Sequence, residues 1–284
     1  MSSVGTQLDT FHDASGKVTV AVFSNRGNPE REIWIDEEIL VGDGEMIAIG
    51  GGGAASDGFA NTFSPGGPGA LLTASFPNGD LSGWVVGSRD HQSPQTYGLV
   101  SFVIGMKIAG MSRQQLKESV FVSVGDSGGA NHPEAEAGVP NNDFVLVGGG
   151  FRVDQGAFNL ATASFPSTEF SWKARSQDHQ IASPANLRVF AVCLRRNLPV
   201  GQVTVSIQRA NGDQAPHPAA VANVASGFAP TGGGAEVPQV NNGNFLWKLE
   251  PATSVAPSFS AASKDHLLSA PCPIITFALG IRIS

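Results

Sequence analysis

An Asp-His pair closing a short strand-like run occurs three times at almost equal spacing. "GWVVGSRDH" ends at Asp90-His91, "SWKARSQDH" at Asp178-His179 and "SFSAASKDH" at Asp265-His266, so the pairs stand 88 and then 87 positions apart. Other landmarks keep the same order. An aromatic residue precedes each Asp by six positions (Trp84, Trp172, Phe259), and each unit closes on a matching run, "SFVIGMKI", "VFAVCLRR" and "TFALGIRI". Gly-rich runs come earlier, at Gly50 to Gly53, Gly148 to Gly150 and Gly232 to Gly234, with "LLTASFP", "LATASFP" and a worn "LWKLEP" between. Every unit opens on a period-two run, "VTVAV" from Val18, "VFVSV" from Val120 and "VTVSI" from Val203, and proceeds to "NPE", "HPE" or "HPA". So many landmarks in one order mark an internal triplication.

The repeat divides the chain into an N-terminal extension (1–15), a first unit (16–109), a linker (110–118), a second unit (119–200) and a third (201–284). Two insertions enlarge the first unit: the acidic-apolar "EREIWIDEEIL" from Glu30 to Leu40, and the Gly/Pro-rich "DGFANTFSPGGPG" from Asp57 to Gly69. "GMSRQQLKES" in the linker is the one short helix expected. Thirty-five Gly and 18 Pro among short runs of Val, Ile, Phe and Thr describe strands punctuated by turns. The expected class is all-β. A unit of this length exceeds one propeller blade, and three sheets around a pseudo-threefold axis, β-prism-like or β-tripod-like, accommodate it better.

Charge and cysteine content narrow the function. A net charge of −7 and 14% charged residues leave no basic patch for nucleic acid. Two cysteines make no disulfide framework, and Cys193, inside "VFAVCLRR", reads as a buried thiol. The start has neither the basic nor the apolar segment of a signal peptide, and no apolar run reaches eighteen residues. The expectation is a soluble protein made in the cytoplasm, not a transmembrane one, with release by another route left open.

"VGDSGGANHP", from Val124 to Pro133, spells the nucleophile loop of a chymotrypsin-like protease around Ser127. The other units carry "FSNRG" and "QRANG" in the corresponding stretch, which is turn chemistry at a strand end. No histidine in an "AAHC"-like setting stands upstream. The motif therefore reads as a loop.

Residues kept in all three units point to a structural role or to a site that occurs three times, because a catalytic centre needs only one copy. Asp90, Asp178 and Asp265 read first as carboxylates accepting backbone N–H bonds at strand ends. His91, His179 and His266, brought together on an axis, form a candidate site for a divalent metal ion. The Gly runs lack the Lys-Ser/Thr of a phosphate loop and read as bulges or tight crossings. Trp84 and Trp172 read as core anchors, with a platform for a sugar ring as the alternative. Trp34, in the inserted segment and without tripled partners, is the candidate for a copy-specific contact.

The tripled Gly run, the Trp/Phe strand and the Asp-His landmark resemble the threefold β-prism or β-tripod modules attached to perforin-like insecticidal toxins of bacteria. The resemblance implies recognition of a glycan or membrane-surface receptor, in a toxin or toxin component, with ligand contacts near Asp90, Asp178, Asp265, Trp84, Trp172 and Trp34. The competing readings are a hydrolase using the histidines or Ser127, and an assembly protein whose symmetry is its function.

Overall fold

Alternation sets the opening strands and apolar continuity the closing ones, and the structure, a computed structural model, pairs the two within every unit. It describes residues 2–27, 35–56, 70–93, 97–156, 158–238, 243–252 and 256–284. Trp34, the Asn28-Pro29 turn and the Gly/Pro-rich insertion lie outside the described residues.

The first unit contributes β1 (Ser2–Val4), β2 (Thr6–His12), β3 (Val18–Arg26), β4 (Ile35–Leu40), β5 (Ile47–Ser56), β6 (Ala70–Pro77), β7 (Gly83–Asp90) and β8 (Gly98–Ile108). A single helix, α1 (Arg113–Glu118), follows in the linker. Its capping box is complete: Ser112 Oγ accepts from Gln115 N–H and Gln115 Oε1 accepts from Ser112 N–H. The second unit holds β9 (Val120–Ala130), β10 (Glu134–Gly138), β11 (Phe144–Asp154), β12 (Asn159–Thr168), β13 (Ser171–Asp178) and β14 (Ala185–Arg195). The third holds β15 (Asn197–Leu198), β16 (Gly201–Ala215), β17 (Ala219–Asn223), β18 (Ala229–Glu236), β19 (Asn244–Ala252), β20 (Ser258–Asp265) and β21 (Cys272–Ile283).

These strands form three seven-stranded sheets, ordered β1-β4-β7-β6-β11-β14-β9, β10-β13-β12-β18-β21-β16-β15 and β17-β20-β19-β5-β8-β3-β2. No sheet belongs to one unit. Each joins strands of two units along a seam of only two residue pairs: Phe151↔Ser75 and Arg152↔Ala74, Ala163↔Glu236 and Ser164↔Ala235, Lys248↔Ala54 and Leu249↔Gly53. The boundaries read from sequence thus separate repeats and not self-contained sheets.

The Gly-rich runs lie on β5, β11 and β18, beside these seams. A register shift enters each between Ala48 and Gly50, Leu146 and Gly148, and Pro230 and Gly232. These are the bulges expected from sequence. The middle glycine carries a ring: a Cβ on Gly51, Gly149 or Gly233 would overlap Trp84, Trp172 or Phe259. Backbone crosses the last glycine, since a Cβ on Gly52, Gly150 or Gly234 would overlap the carbonyl of Leu249, Ser75 or Ser164. One apolar cluster takes side chains from all three sheets, including Ile47, Trp84, Phe151, Trp172, Phe259 and Leu279. Cys193 is buried as expected, and burial pushes its thiol pKa up to about 12.

Candidate functional site: a buried histidine cluster under three turns

β7, β13 and β20 end on Asp90, Asp178 and Asp265, and the chain then reverses in the same way each time. The histidine carbonyl accepts from the N–H two residues on: Ser93 to His91 at 2.6 Å, Ile181 to His179 at 2.7 Å, Leu268 to His266 at 2.7 Å. Between them Gln92, Gln180 and Leu267 hold φ of 51°, 60° and 59°. That pattern is a γ-turn with a left-handed central residue, an uncommon conformation for anything but glycine. Its effect is to turn each histidine inward while the next residues face outward.

All three imidazoles are fully buried. Their centroids lie 4.8 Å (His91 to His266), 5.0 Å (His179 to His266) and 5.5 Å (His91 to His179) apart, and His91 Nδ1 stands 2.6 Å from His266 Nε2. Phe158 meets His91 edge-on at 5.3 Å and Phe245 meets His179 at 5.2 Å. Phe245 shares an apolar cluster with Leu71 and Leu160, which hold the matching positions on β6 and β12. Burial, then the nearby imidazoles of His266 and His179, then Arg89, bring the pKa of His91 down to about 3. His91 is neutral at pH 7.

The sequence correctly groups the histidines, but the metal reading is corrected. Two nitrogens bound to one tetrahedral ion at 2.0–2.1 Å would stand roughly 3.3 Å apart. At 2.6 Å the His91–His266 contact has instead the length of an N–H···N hydrogen bond. Among the described residues no three His, Cys, Asp or Glu groups are arranged to hold an ion.

The aspartates hold the turns together. Asp178 Oδ2 accepts from Ser183 N–H at 3.0 Å and its Oδ1 lies 3.1 Å from His132 Nε2, while Asp265 Oδ1 accepts from Asn244 Nδ2 at 2.9 Å. Asp90 is buried. These carboxylates serve the chain itself, as the strand-end reading expects, and they do not project as ligand contacts. Asn159 and Asn244 support the same corner, each donating from Nδ2 to two backbone carbonyls: Asn131 and Ser183 for the first, Pro216 and Ala270 for the second. Sequence reasoning missed them, although "NLATASFP" and "NFLWKLEP" put an Asn at the same offset. It also missed that the residue before each Asp, namely Arg89, Gln177 and Lys264, is buried.

Trp84 and Trp172 are corrected as ligand platforms. They are 0% and 1% exposed, and their indole N–H groups donate to Ser75 Oγ and Ser164 Oγ at 2.9 Å. Their ring faces cover glycine. Ser127 Oγ donates to the Gly128 carbonyl at 2.7 Å and accepts from Leu187 N–H at 2.9 Å, inside a bulge where β9 meets β14. Gly125 of the same motif is where the carbonyl of Glu136 on β10 crosses β9. The protease-like letters therefore complete a strand crossing.

What remains exposed at this end is apolar: Ile181 is 49%, Leu267 48% and Leu268 50% exposed, beside exposed Gln92 and Gln180. Among the described residues, no helix is long and apolar enough to cross a membrane. No protein-family model and no curated protein matches the chain. A solved structure described as "The Triple Jelly Roll Fold and Turret Assembly in an Archaeal Virus" aligns over 93% of this chain and 82% of that one, at 5% identity and a TM-score of 0.17. A likeness that low carries no argument.

Proposed function

We propose that this chain is a non-enzymatic surface-recognition module, lectin-like, which binds a glycan or a membrane-surface receptor through the end bearing the three Asp-His turns. The observation that carries this reading is the repeated γ-turn. Three non-glycine residues hold left-handed backbone above one buried cluster, and such strain persists only where the surroundings impose it, often at binding sites. The turns present Gln92, Gln180, Ile181, Leu267 and Leu268 outward from a rigid base. Triplication around a pseudo-threefold axis, in a β-prism-like or β-tripod-like arrangement, is part of the proposal; the matched strand orders and recurring glycine contacts support it. Three weak contacts on one scaffold raise avidity without new chemistry. The resemblance to toxin-borne modules adds that the surface belongs to a target cell.

The test is binding of the full chain to a glycan array and to neutral and anionic phospholipid vesicles, with Ile181→Asp/Leu268→Asp as the comparison. Both positions are about half exposed, so the fold should persist. We expect binding to weaken at least about tenfold while the melting temperature holds. Undiminished binding by the double variant would remove this end of the molecule from the recognition surface.

A further inference from the structure

The opening strands β3, β9 and β16 pair with the closing strands β8, β14 and β21, with Val20↔Met106, Val120↔Leu194 and Val205↔Ile281 in matching register. Their outer edges differ. β2 lies on β3, pairing Phe11↔Val20, Thr10↔Ala21 and His12↔Thr19. β9 ends its sheet, and β16 carries only the two-residue β15, opposite Gly201 and Gln202.

Backbone direction makes the β16 edge usable. Gln202 exchanges both bonds with Ser284, on the β21 side, whereas Val203 N–H points the other way, to Arg196 C=O at 2.8 Å. Alternation then turns the N–H groups of Val205 and Ile207 outward as well. Farther along, β17 crosses β16 at Gly212, where a Cβ would stand 2.5 Å from the Ala219 carbonyl. The open stretch runs from Thr204 to Arg209, the counterpart of the stretch of β3 that β2 covers. A groove of about 460 Å³ runs beside it. Its apolar wall is Val145, Phe170, Val205 and Ile207, with Arg196 and Glu169 at the rim.

We infer that this groove takes an extended segment of a partner protein, added antiparallel to β16 as β2 is added to β3. All described strands of the chain already sit in the three sheets, so the added strand comes from outside it. Main-chain bonds to Val205 and Ile207 supply affinity, and apolar side chains at alternate positions of the segment enter the groove. The rim carries one charge of each sign, which suits a segment of low net charge.

The probe is a labelled peptide of Ser2–His12, the segment whose β2 portion already fits the matching edge. We expect saturable binding to the full chain and slower amide hydrogen exchange at Val205 and Ile207. Val205→Pro removes an outward N–H and no bond to β21, so it should weaken binding at least about tenfold. Phe170→Asp, at an exposed tip, carries the same expectation should the proline variant fail to fold. No saturable binding up to about 1 mM, equal binding by the variants, or unchanged exchange at Val205 and Ile207 would each overturn the proposal. Self-association of the chain that Val205→Pro abolishes would assign the strand to a second copy and overturn the partner assignment.

Discussion

His91 is packed between two other imidazoles and close to the buried guanidinium of Arg89, where a proton has no favourable place. Its folded pKa of about 3 lies below the ordinary 6.5 that it regains on unfolding. Between these values the unfolded chain binds a proton that the folded chain refuses. Stability therefore falls as pH drops from 6.5 toward 3 and stops falling from this source below 3. At about 1.4 kcal/mol per unit, the loss between pH 6.5 and 4.5 is roughly 2–3 kcal/mol. Urea unfolding at the two pH values should show it, and His91→Gln should flatten most of the difference; an equal slope in the variant would exclude His91 as the titrating group. The Asp-His pairs were legible in the sequence because they are tripled. Their inward turn was not, because it depends on positive φ at Gln92, Gln180 and Leu267, residue types that do not announce it.

Glycine and aromatic ring form one unit of packing on the Gly-rich strands. Gly149 has no Cβ because the Trp172 ring occupies that space, and Gly51 and Gly233 stand in the same relation to Trp84 and Phe259. Gly149→Ala should destabilise the protein by about 2–4 kcal/mol, at or above the upper range for overpacking, since a ring and a carbonyl block the methyl group. Gly79→Ala, with open space around the Cβ position, should change stability by less than about 0.5 kcal/mol. Thermal denaturation of the two variants compares them directly, and equal melting temperatures would refute the packing argument. The sequence supplied both halves of this contact, a Gly run and a tripled aromatic. What it lacked was the register that sets one on the other, fixed by bulges in both β11 and β12. Trp247 shows the limit of reading by repeat: it fills the bulged place that Thr73 and Thr162 hold in the other units.

Across the whole molecule, the repeat seen in sequence is not the unit that folds. The second unit gives β11, β14 and β9 to one sheet and β12, β13 and β10 to another, so in isolation it exposes both seams. A fragment spanning residues 119–200 should give the poorly dispersed amide NMR spectrum of an unfolded chain, and a native-like spectrum would show that the seams are dispensable. Strand identity was legible from alternation and apolar runs. Strand partnership across units was not, because a sequence with three similar copies does not state which copy a strand will join. The two-pair seam between β19 and β5 has a consequence in time. Ala54 on β5 meets Lys248 on β19, a residue synthesised almost two hundred positions later. At about 5–20 residues per second, the inner edge of β5 waits on the ribosome for some ten to forty seconds before its neighbour exists. Throughout that interval the first unit is an unfinished sheet, and a chaperone or another nascent chain has its best opportunity to bind there.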